Sequence, residues 1–132
     1  MKVYISGTFT AQARLRPMAE RLREAGHTVV SSWLYEPQQR PAHLSDAAWN
    51  LTLADKDIAE VFSADCLILD RIGESTSGGR YVEWGVACHP TEMKLRYTVG
   101  GGPDLVFAHK RHRHFDGWDD ALAYFQVNHA AR

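Results

Sequence analysis

The sequence is poor in cysteine, contains no long apolar run and has no excess of either charge. Its two cysteines, Cys66 and Cys88, are too few for a disulfide-built scaffold and are typical of a reducing cytoplasm. No apolar segment approaches the roughly 20 residues that span a bilayer. Fifteen basic and sixteen acidic residues give a formal net charge of −1, so no overall field attracts nucleic acid or an acidic membrane surface. We therefore predict a cytoplasmic protein that binds neither nucleic acid nor membranes.

What the chain does contain is an alternation of strand-like and helix-like segments over residues 1–132, a length suited to one domain. Apolar runs predict strands at residues 2–6, 27–31, 66–69, 95–99 and 105–108. Helical spacing predicts helices at residues 15–25, 46–62, 80–88 and 116–125, the second capped by Ser45 or Asp46 and the last by Asp116. The second helix has an apolar stripe of Leu51, Ala54, Ile58, Val61 and Phe62. The alternation predicts an α/β fold, with a parallel sheet of about five strands and helices on both faces.

The segment after the third predicted strand is the most informative part of the chain. Ser77, Gly78 and Gly79 follow a buried strand and open a helix. Free backbone N–H groups at such a helix start bind anions, including phosphate. Glu83 lies about one turn into this helix, near the same cavity. An anion site beside a carboxylate that can attack a carbon favours an enzyme acting on a nucleotide or nucleoside.

Ligands of parallel α/β sheets bind beyond the carboxyl ends of the strands. Several other candidate residues lie at that end of the predicted sheet. The loops at that edge contain residues 6–8, 31–33 and 71–79. Trp33, at the end of the second strand, can stack on a base, whereas Trp84 is interpreted as a core or subunit contact. The basic run at residues 109–114 has neither the accompanying cysteine or carboxylate ligands nor the spacing of a zinc site. We therefore interpret it as a solvated loop and predict no metal.

Four segments resemble the nucleoside 2-deoxyribosyltransferase superfamily, which also contains 2'-deoxynucleoside 5'-phosphate N-hydrolases and CMP hydrolases. They are residues 4–9 (YISGTF), 54–58 (ADKDI), 64–69 (ADCLIL) and 77–87 (SGGRYVEWGVA). All four in order are more specific than any one of them. The resemblance implies a flavodoxin-like fold, an enzyme without a cofactor, and a homo-oligomer, a dimer or larger, in which a neighbouring subunit can complete the site.

The resemblance also implies roles for individual residues. Glu83 matches the nucleophilic glutamate, Asp57 the aspartate that assists the leaving base, and Tyr4 the tyrosine that orients the nucleophile. Thr8 and Ser77 fall where the phosphate hydrolases carry hydroxyls, whereas the transferases have an acidic residue at position 77. The residues predicted to bind the nucleotide or nucleoside are Gly7, Thr8, Phe9, Trp33, Ser77, Gly78 and Gly79.

Two features depart from the family pattern. Thr10 stands where the phosphate hydrolase has an arginine, and residues 88–94 replace the usual passage into the fourth strand. The first departure implies a weaker phosphate clamp, or one completed by Arg80 or by a neighbouring subunit.

Two carboxyl groups suit the cleavage of an N-glycosidic bond, because the sugar acquires oxocarbenium character. We expect Glu83 to be stabilised as the anion by the helix N-terminus and by Tyr4. Asp57 borders an apolar stripe, where partial burial raises the pKa of a carboxyl group and lets it keep a proton. A glycosyl intermediate on Glu83 would then pass to water or to a second base.

Three functions are consistent with these residues. The leading hypothesis is an N-glycosidase of (2'-deoxy)nucleoside 5'-monophosphates that releases a free base and a (deoxy)ribose 5-phosphate. The alternatives are a nucleoside 2'-deoxyribosyltransferase and a catalytically inactive nucleotide-binding sensor. Simpler interpretations also stay open: Glu83 as a surface glutamate, Tyr4 as an ordinary strand aromatic, residues 77–79 as a plain turn, and Asp55 in the role of Asp57.

Overall fold

The computed structural model describes residues 1–37, 39–73, 79–89, 94–101 and 112–129, with the backbone alone for residues 79–81. The strands lie at Lys2–Ser6 (β1), Thr28–Val29 (β2), Cys66–Asp70 (β3), Leu95–Val99 (β4) and Arg113–Phe115 (β5). The α-helices lie at Gln12–Glu24 (α1), Asp46–Ser63 (α2), Gly79–Ala87 (α3) and Trp118–Asn128 (α4). Short 3-10 helices lie at Phe9–Ala11 and Ser32–Tyr35.

The strands form one parallel sheet in the order β2-β1-β3-β4-β5. The strands β1 and β3 are neighbours, with Tyr4 paired to Leu67 and Ser6 to Leu69. This order is the flavodoxin-like one, so the predicted fold class is confirmed. The strand order reverses at β1 and β3, and ligands of such folds bind beyond the carboxyl ends of the strands at this point.

The sheet is buried on both faces, as expected when helices cover a parallel sheet. All five residues of β3 and four of the five residues of β1 are buried. Trp84 of α3 and Phe125 of α4 are among the largest fully buried side chains. Of the two interpretations of Trp84, a core or a subunit contact, the structure shows the core. Cys66 and Cys88 are not joined by a disulfide.

The ends of the first two long helices follow from single residues. The helix α1 ends before Gly26, whose φ of 93° lies in the left-handed region that glycine adopts without strain. The helix α2 begins after Ser45, whose Oγ accepts a hydrogen bond from the Ala48 N–H at 3.1 Å. Both boundaries agree with the predictions.

Two buried cations hold the helices that carry the predicted catalytic acids. The Lys94 ammonium donates to the Phe62 carbonyl at 2.8 Å, at the end of α2. The Arg96 guanidinium, on β4, donates to the Ala87 carbonyl at 3.1 Å, at the end of α3. Both bonds satisfy carbonyls that a helix leaves unpaired, and positive charge is favourable at that end of the helix dipole. The β4 region thus fixes the positions of α2 and α3.

One predicted strand and one predicted loop need correction. The strand β2 is limited to Thr28–Val29, because the Ser31 Oγ turns back to accept a hydrogen bond from the Ile5 N–H at 2.5 Å. Arg113 and His114, predicted as part of a solvated loop, instead form β5 at the edge of the sheet. An edge strand can leave charged side chains in water while its backbone pairs with one neighbour. The predicted strand at 105–108 and residues 109–111 lie outside the described residues.

The predicted cap of the last helix is also wrong. Gly117 is the N-cap residue of α4, and it makes no side-chain cap bond. Asp116 lies one position too early, and its carboxylate is 3.5 Å from His114 Nε2 instead.

The predicted apolar stripe of α2 is largely uncovered. Val61 is buried, whereas Leu51 is 62% exposed and Phe62 50% exposed. On α3, which packs against α2, Val82 is 58% exposed. Helical spacing therefore identified the stripe, but Leu51 and Phe62 on it are not part of the core. Within the described part of the chain, no helix is both long enough and apolar enough to cross a membrane.

Candidate active site

The Glu83 carboxylate lies against the carboxyl half of β1. The Tyr4 hydroxyl donates to Oε1 at 3.3 Å, and the Ser6 hydroxyl donates to Oε2 at 2.5 Å. Both donors are fully buried, and they lie on the same face of β1 because side chains two residues apart in a strand point the same way. The structure thus brings the predicted pair, Tyr4 and Glu83, together. The sequence analysis placed Ser6 at this end of the sheet but gave it no role, although its period-two spacing from Tyr4 is a signal for one.

The ionisation of Glu83 differs from the expectation. Burial raises the pKa of Glu83 to about 7, and the nearby Asp57 carboxylate raises it too, while the hydrogen bonds from Ser6 and Tyr4 lower it. The expected stabilisation of the anion is therefore wrong for the free protein. Glu83 lies beyond the first turn of α3, where the helix dipole has little effect, so desolvation dominates.

Asp57 lies on α2 and is the second carboxyl group of the site. Burial raises its pKa, as predicted, and the Lys56 ammonium, 3.3 Å from Asp57 Oδ1, partly opposes this. The charge of Asp57 adds to the effect of burial and raises the pKa of Glu83 further. Asp55, the competing candidate, is exposed, which favours Asp57.

Lys56 is surrounded by carboxylates, of which the sequence analysis singled out Asp57 but not Glu36 or Glu60. Its ammonium pairs with Glu36 and Asp57, lies 3.8 Å from Glu60 and donates to the Ser32 hydroxyl at 2.8 Å. The side chains of Glu36 and Glu60 are largely buried. The spacing of residues 56, 57 and 60 along one helix face could have revealed part of this group. Glu36 arrives from another loop and has no such signal.

The loop after β1 positions three of the residues predicted to bind substrate. A side chain at Gly7 would put a Cβ 3.0 Å from Leu15 Cδ1, so glycine lets the loop approach α1 closely. The Thr8 hydroxyl lies 3.0 Å from the Thr10 hydroxyl. The Phe9 ring is 37% exposed and edge-on to Trp33, with 5.9 Å between ring centroids.

Trp33 is placed differently from a base-stacking residue. Its side chain is only 3% exposed, and the indole N–H donates to the Ile5 carbonyl at 2.7 Å. A buried indole offers little surface to a ligand, so the exposed ring of Phe9 is the better stacking candidate.

The predicted anion loop is described only at its end. Gly79 begins α3, which places the start of this helix where the sequence predicts it. Ser77 and Gly78 lie outside the described residues, and so does the side chain of Arg80. Among the described residues, no three His, Cys, Asp or Glu side chains converge as metal ligands.

Asp70 anchors the end of β3, next to this loop. Both of its oxygens accept hydrogen bonds from the Arg14 guanidinium, at 2.9 and 2.7 Å, and Oδ1 accepts another from the Trp118 indole at 2.8 Å. Asp70 is buried, so these charge-assisted bonds tie α1 and α4 to β3. The sequence analysis did not identify this group.

The fold is shared with solved structures of other proteins. The 2-deoxyribosyltransferase of the psychrotolerant bacterium Bacillus psychrosaccharolyticus matches with a TM-score of 0.74 and 21% identity, over 94% of this chain and 92% of that chain. The CMP N-glycosidase BcmB of Clostridium botulinum matches with a TM-score of 0.65 and 16% identity, over 96% and 99%. A conserved protein from Enterococcus faecalis V583 matches with a TM-score of 0.63 and 16% identity, over 93% and 95%.

Comparison of sequences alone finds no relative, since no family model matches the chain and no curated protein is significantly similar to it. At these identities the structural likeness shows a common fold.

Proposed function

We propose that this protein is an N-glycosidase that cleaves (2'-deoxy)nucleoside 5'-monophosphates into a free base and a (deoxy)ribose 5-phosphate, without a cofactor. The observation that carries the proposal is the Glu83 carboxylate, held by two hydroxyls of β1 and coupled in charge to Asp57. Two proteins of the same fold, a 2-deoxyribosyltransferase and a CMP N-glycosidase, support N-glycosidic chemistry. The four sequence segments that resemble this superfamily include both acids.

In the first step, a Glu83 carboxylate oxygen attacks C1' of the sugar. The bond between that oxygen and C1' forms while the C1'–N bond breaks. The base leaves with the electron pair and takes a proton from Asp57, whose raised pKa suits a general acid. In the second step, water attacks C1', its proton passes to the Asp57 carboxylate, and the Glu83–C1' bond breaks to regenerate the anion.

The 5'-phosphate preference rests on hydroxyl donors at the edge of the sheet. The neighbouring hydroxyls of Thr8 and Thr10 follow β1, and Ser77 replaces the acidic residue that the transferases carry. Hydroxyls can donate to a phosphate, whereas a carboxylate would repel it. Phe9 supplies an exposed ring for the base.

The test is a base-release assay over the common nucleosides and their 5'-monophosphates, with wild type, Glu83→Gln and Asp55→Asn. We expect faster release from monophosphates, loss of release with Glu83→Gln, and wild-type release with Asp55→Asn, which alters an exposed carboxylate. Equal or faster cleavage of nucleosides would contradict the phosphate preference. Full activity of Glu83→Gln would contradict the nucleophile.

A nucleoside 2'-deoxyribosyltransferase is the second candidate. The structural match with a TM-score of 0.74 to a 2-deoxyribosyltransferase favours it, as does Thr10 in place of a phosphate-binding arginine. A second free base in the assay separates the two functions. Transfer of the sugar to that base supports the transferase, and release without exchange supports hydrolysis.

The homo-oligomer implied by the resemblance is also part of the proposal. Leu51 and Phe62 on α2 and Val82 on α3 leave large apolar side chains in water, next to the helix positions that carry both acids. Large exposed apolar side chains on two helices that pack together suggest a protein interface. Sedimentation should give a dimer or larger assembly for the wild type and a smaller species for Leu51→Glu/Phe62→Glu. An unchanged mass for the double variant would rule out this surface.

A further inference from the structure

We propose that Ser6 is a positioning residue for the proposed N-glycosidase reaction: it fixes Glu83 through Oε2 and leaves Oε1 to attack the sugar. This inference rests on the proposed function, because it assigns a task to a side chain next to the nucleophile. Ser6 is not among the residues that the superfamily resemblance singles out.

The geometry separates the two hydroxyls that contact Glu83. The Ser6 hydroxyl lies 2.5 Å from Oε2, a distance typical of a hydroxyl that donates to an ionised carboxylate. The Tyr4 hydroxyl lies 3.3 Å from Oε1, where a hydrogen bond is weak. Oε2 is therefore held firmly, while Oε1 keeps lone pairs for bond formation. Ser6 is a strand residue with no exposed surface, so its short side chain has little freedom to move.

The same bond offsets part of the cost of ionising a buried acid. Burial raises the pKa of Glu83, and the Ser6 hydrogen bond is the strongest of the opposing influences. The hydrogen bond from Tyr4 also lowers the pKa of Glu83, but less than the bond from Ser6 does. The charges of Asp57 and Glu60 on α2 raise this pKa further. Other ionisable groups on elements that contact α3 include Lys56 on α2, which pairs with Asp57, Arg96 on β4, which donates to the Ala87 carbonyl, and Cys66 and Asp70 on β3, the latter paired with Arg14.

The role extends to the second half of the reaction. In the glycosyl intermediate Oε1 is bonded to C1' and Oε2 is the ester carbonyl oxygen. When water attacks C1', the Oε1–C1' bond breaks and the electron pair returns to a carboxylate that Ser6 already stabilises. Removal of the hydroxyl should therefore slow both steps at neutral pH, since fewer molecules carry the nucleophilic anion and the leaving carboxylate is less stable.

The test combines a direct titration with kinetics. The pKa of Glu83 is read from its side-chain carboxyl carbon by NMR in the ¹³C-glutamate-labelled full-length protein, with the signal assigned by its absence in Glu83→Gln. Loss of a hydrogen bond to a charged group corresponds to about a 10- to 100-fold change in an equilibrium constant, so Ser6→Ala should raise this pKa by about 1 to 2 pH units. At pH 6, kcat should fall by about 10- to 100-fold with KM nearly unchanged, and the acid limb of the pH–rate profile should move to higher pH.

Three variants make the result specific. Tyr4→Phe should shift the pKa of Glu83 less than Ser6→Ala does. Thr98→Val removes another buried hydroxyl, one on β4 that contacts His114 Nδ1 and not Glu83, and should leave the pKa and the profile unchanged. If Ser6→Ala fails to fold, Ser6→Cys fills the site with a slightly larger sulfur atom and a weaker donor, and it should shift the pKa in the same direction.

An unchanged Glu83 pKa in the Ser6 variants, or a larger shift in Tyr4→Phe, would overturn the inference. If the wild type releases no base from any nucleoside or nucleotide, the proposed function fails. The titration would then still decide whether Ser6 controls Glu83.

Discussion

Burial of the proposed nucleophile should make the protein less stable as the pH rises. In the folded protein, burial raises the pKa of Glu83 from 4.5 to about 7. Between these values the folded state holds a proton that the unfolded chain has released, so stability from this group is full below about pH 4.5 and is lost as the pH rises through about 7. From pH 5 to pH 8 the loss is about 2.5 kcal/mol, since each pKa unit corresponds to about 1.36 kcal/mol.

The variant Glu83→Gln isolates this effect, because the amide cannot ionise and retains an oxygen that can accept from Ser6. We expect the free energies of unfolding of wild type and variant to differ little at pH 5. At pH 8 the variant should be more stable, by about 2 to 3 kcal/mol. The measurement is urea unfolding of both proteins across this pH range, and the difference at pH 5 serves as the internal control. A difference that stays constant with pH, or that favours the wild type at pH 8, would refute the argument.

Two further predictions concern the proposed general acid Asp57 and the ion pair between Arg14 and Asp70. Asp57→Asn should slow base release by about 10²- to 10⁴-fold through loss of the general acid, measured by chromatography, whereas Asp55→Asn should not; equal effects would contradict the assignment. Arg14→Ala should lower the free energy of unfolding by about 2 kcal/mol or more, because it strips a buried Asp70 carboxylate of its bidentate partner. Arg21→Ala, which breaks the exposed ion pair with Asp119, should lower the free energy of unfolding by less than about 1 kcal/mol in the same denaturant experiment. A larger loss for Arg21→Ala would show that burial does not explain the different effects of the two arginines.

The arrangement around Glu83 is unfavourable for stability and suited to chemistry. A buried acid with a pKa near neutral pH is costly to keep ionised, yet it is a better nucleophile than a fully hydrated carboxylate. Ser6 and Tyr4 reduce that cost without removing it, because the pKa of Glu83 stays raised. Asp57 adds a second buried acid of raised pKa on the facing helix. The two groups are thereby suited to share one proton during the proposed reaction.

Local patterns in the sequence determined most of the fold. Alternating and continuous apolar runs predicted β1, β3 and β4, and a helix stop at Gly26 and a cap at Ser45 predicted two helix ends, since these features depend on neighbouring residues alone. The pairing of Tyr4 with Glu83 followed from motif resemblance.

Only the tertiary structure decided the remaining features, because they depend on which distant residues meet. Ser6 reaches Glu83, and Glu36 reaches Lys56, through contacts between elements far apart in the chain. Desolvation decides that the pKa of Glu83 is raised and not lowered, and sequence spacing does not measure desolvation. Leu51 and Phe62 have helical spacing but are exposed, so a periodic apolar pattern specified a face of the helix and the packing decided whether that face is covered.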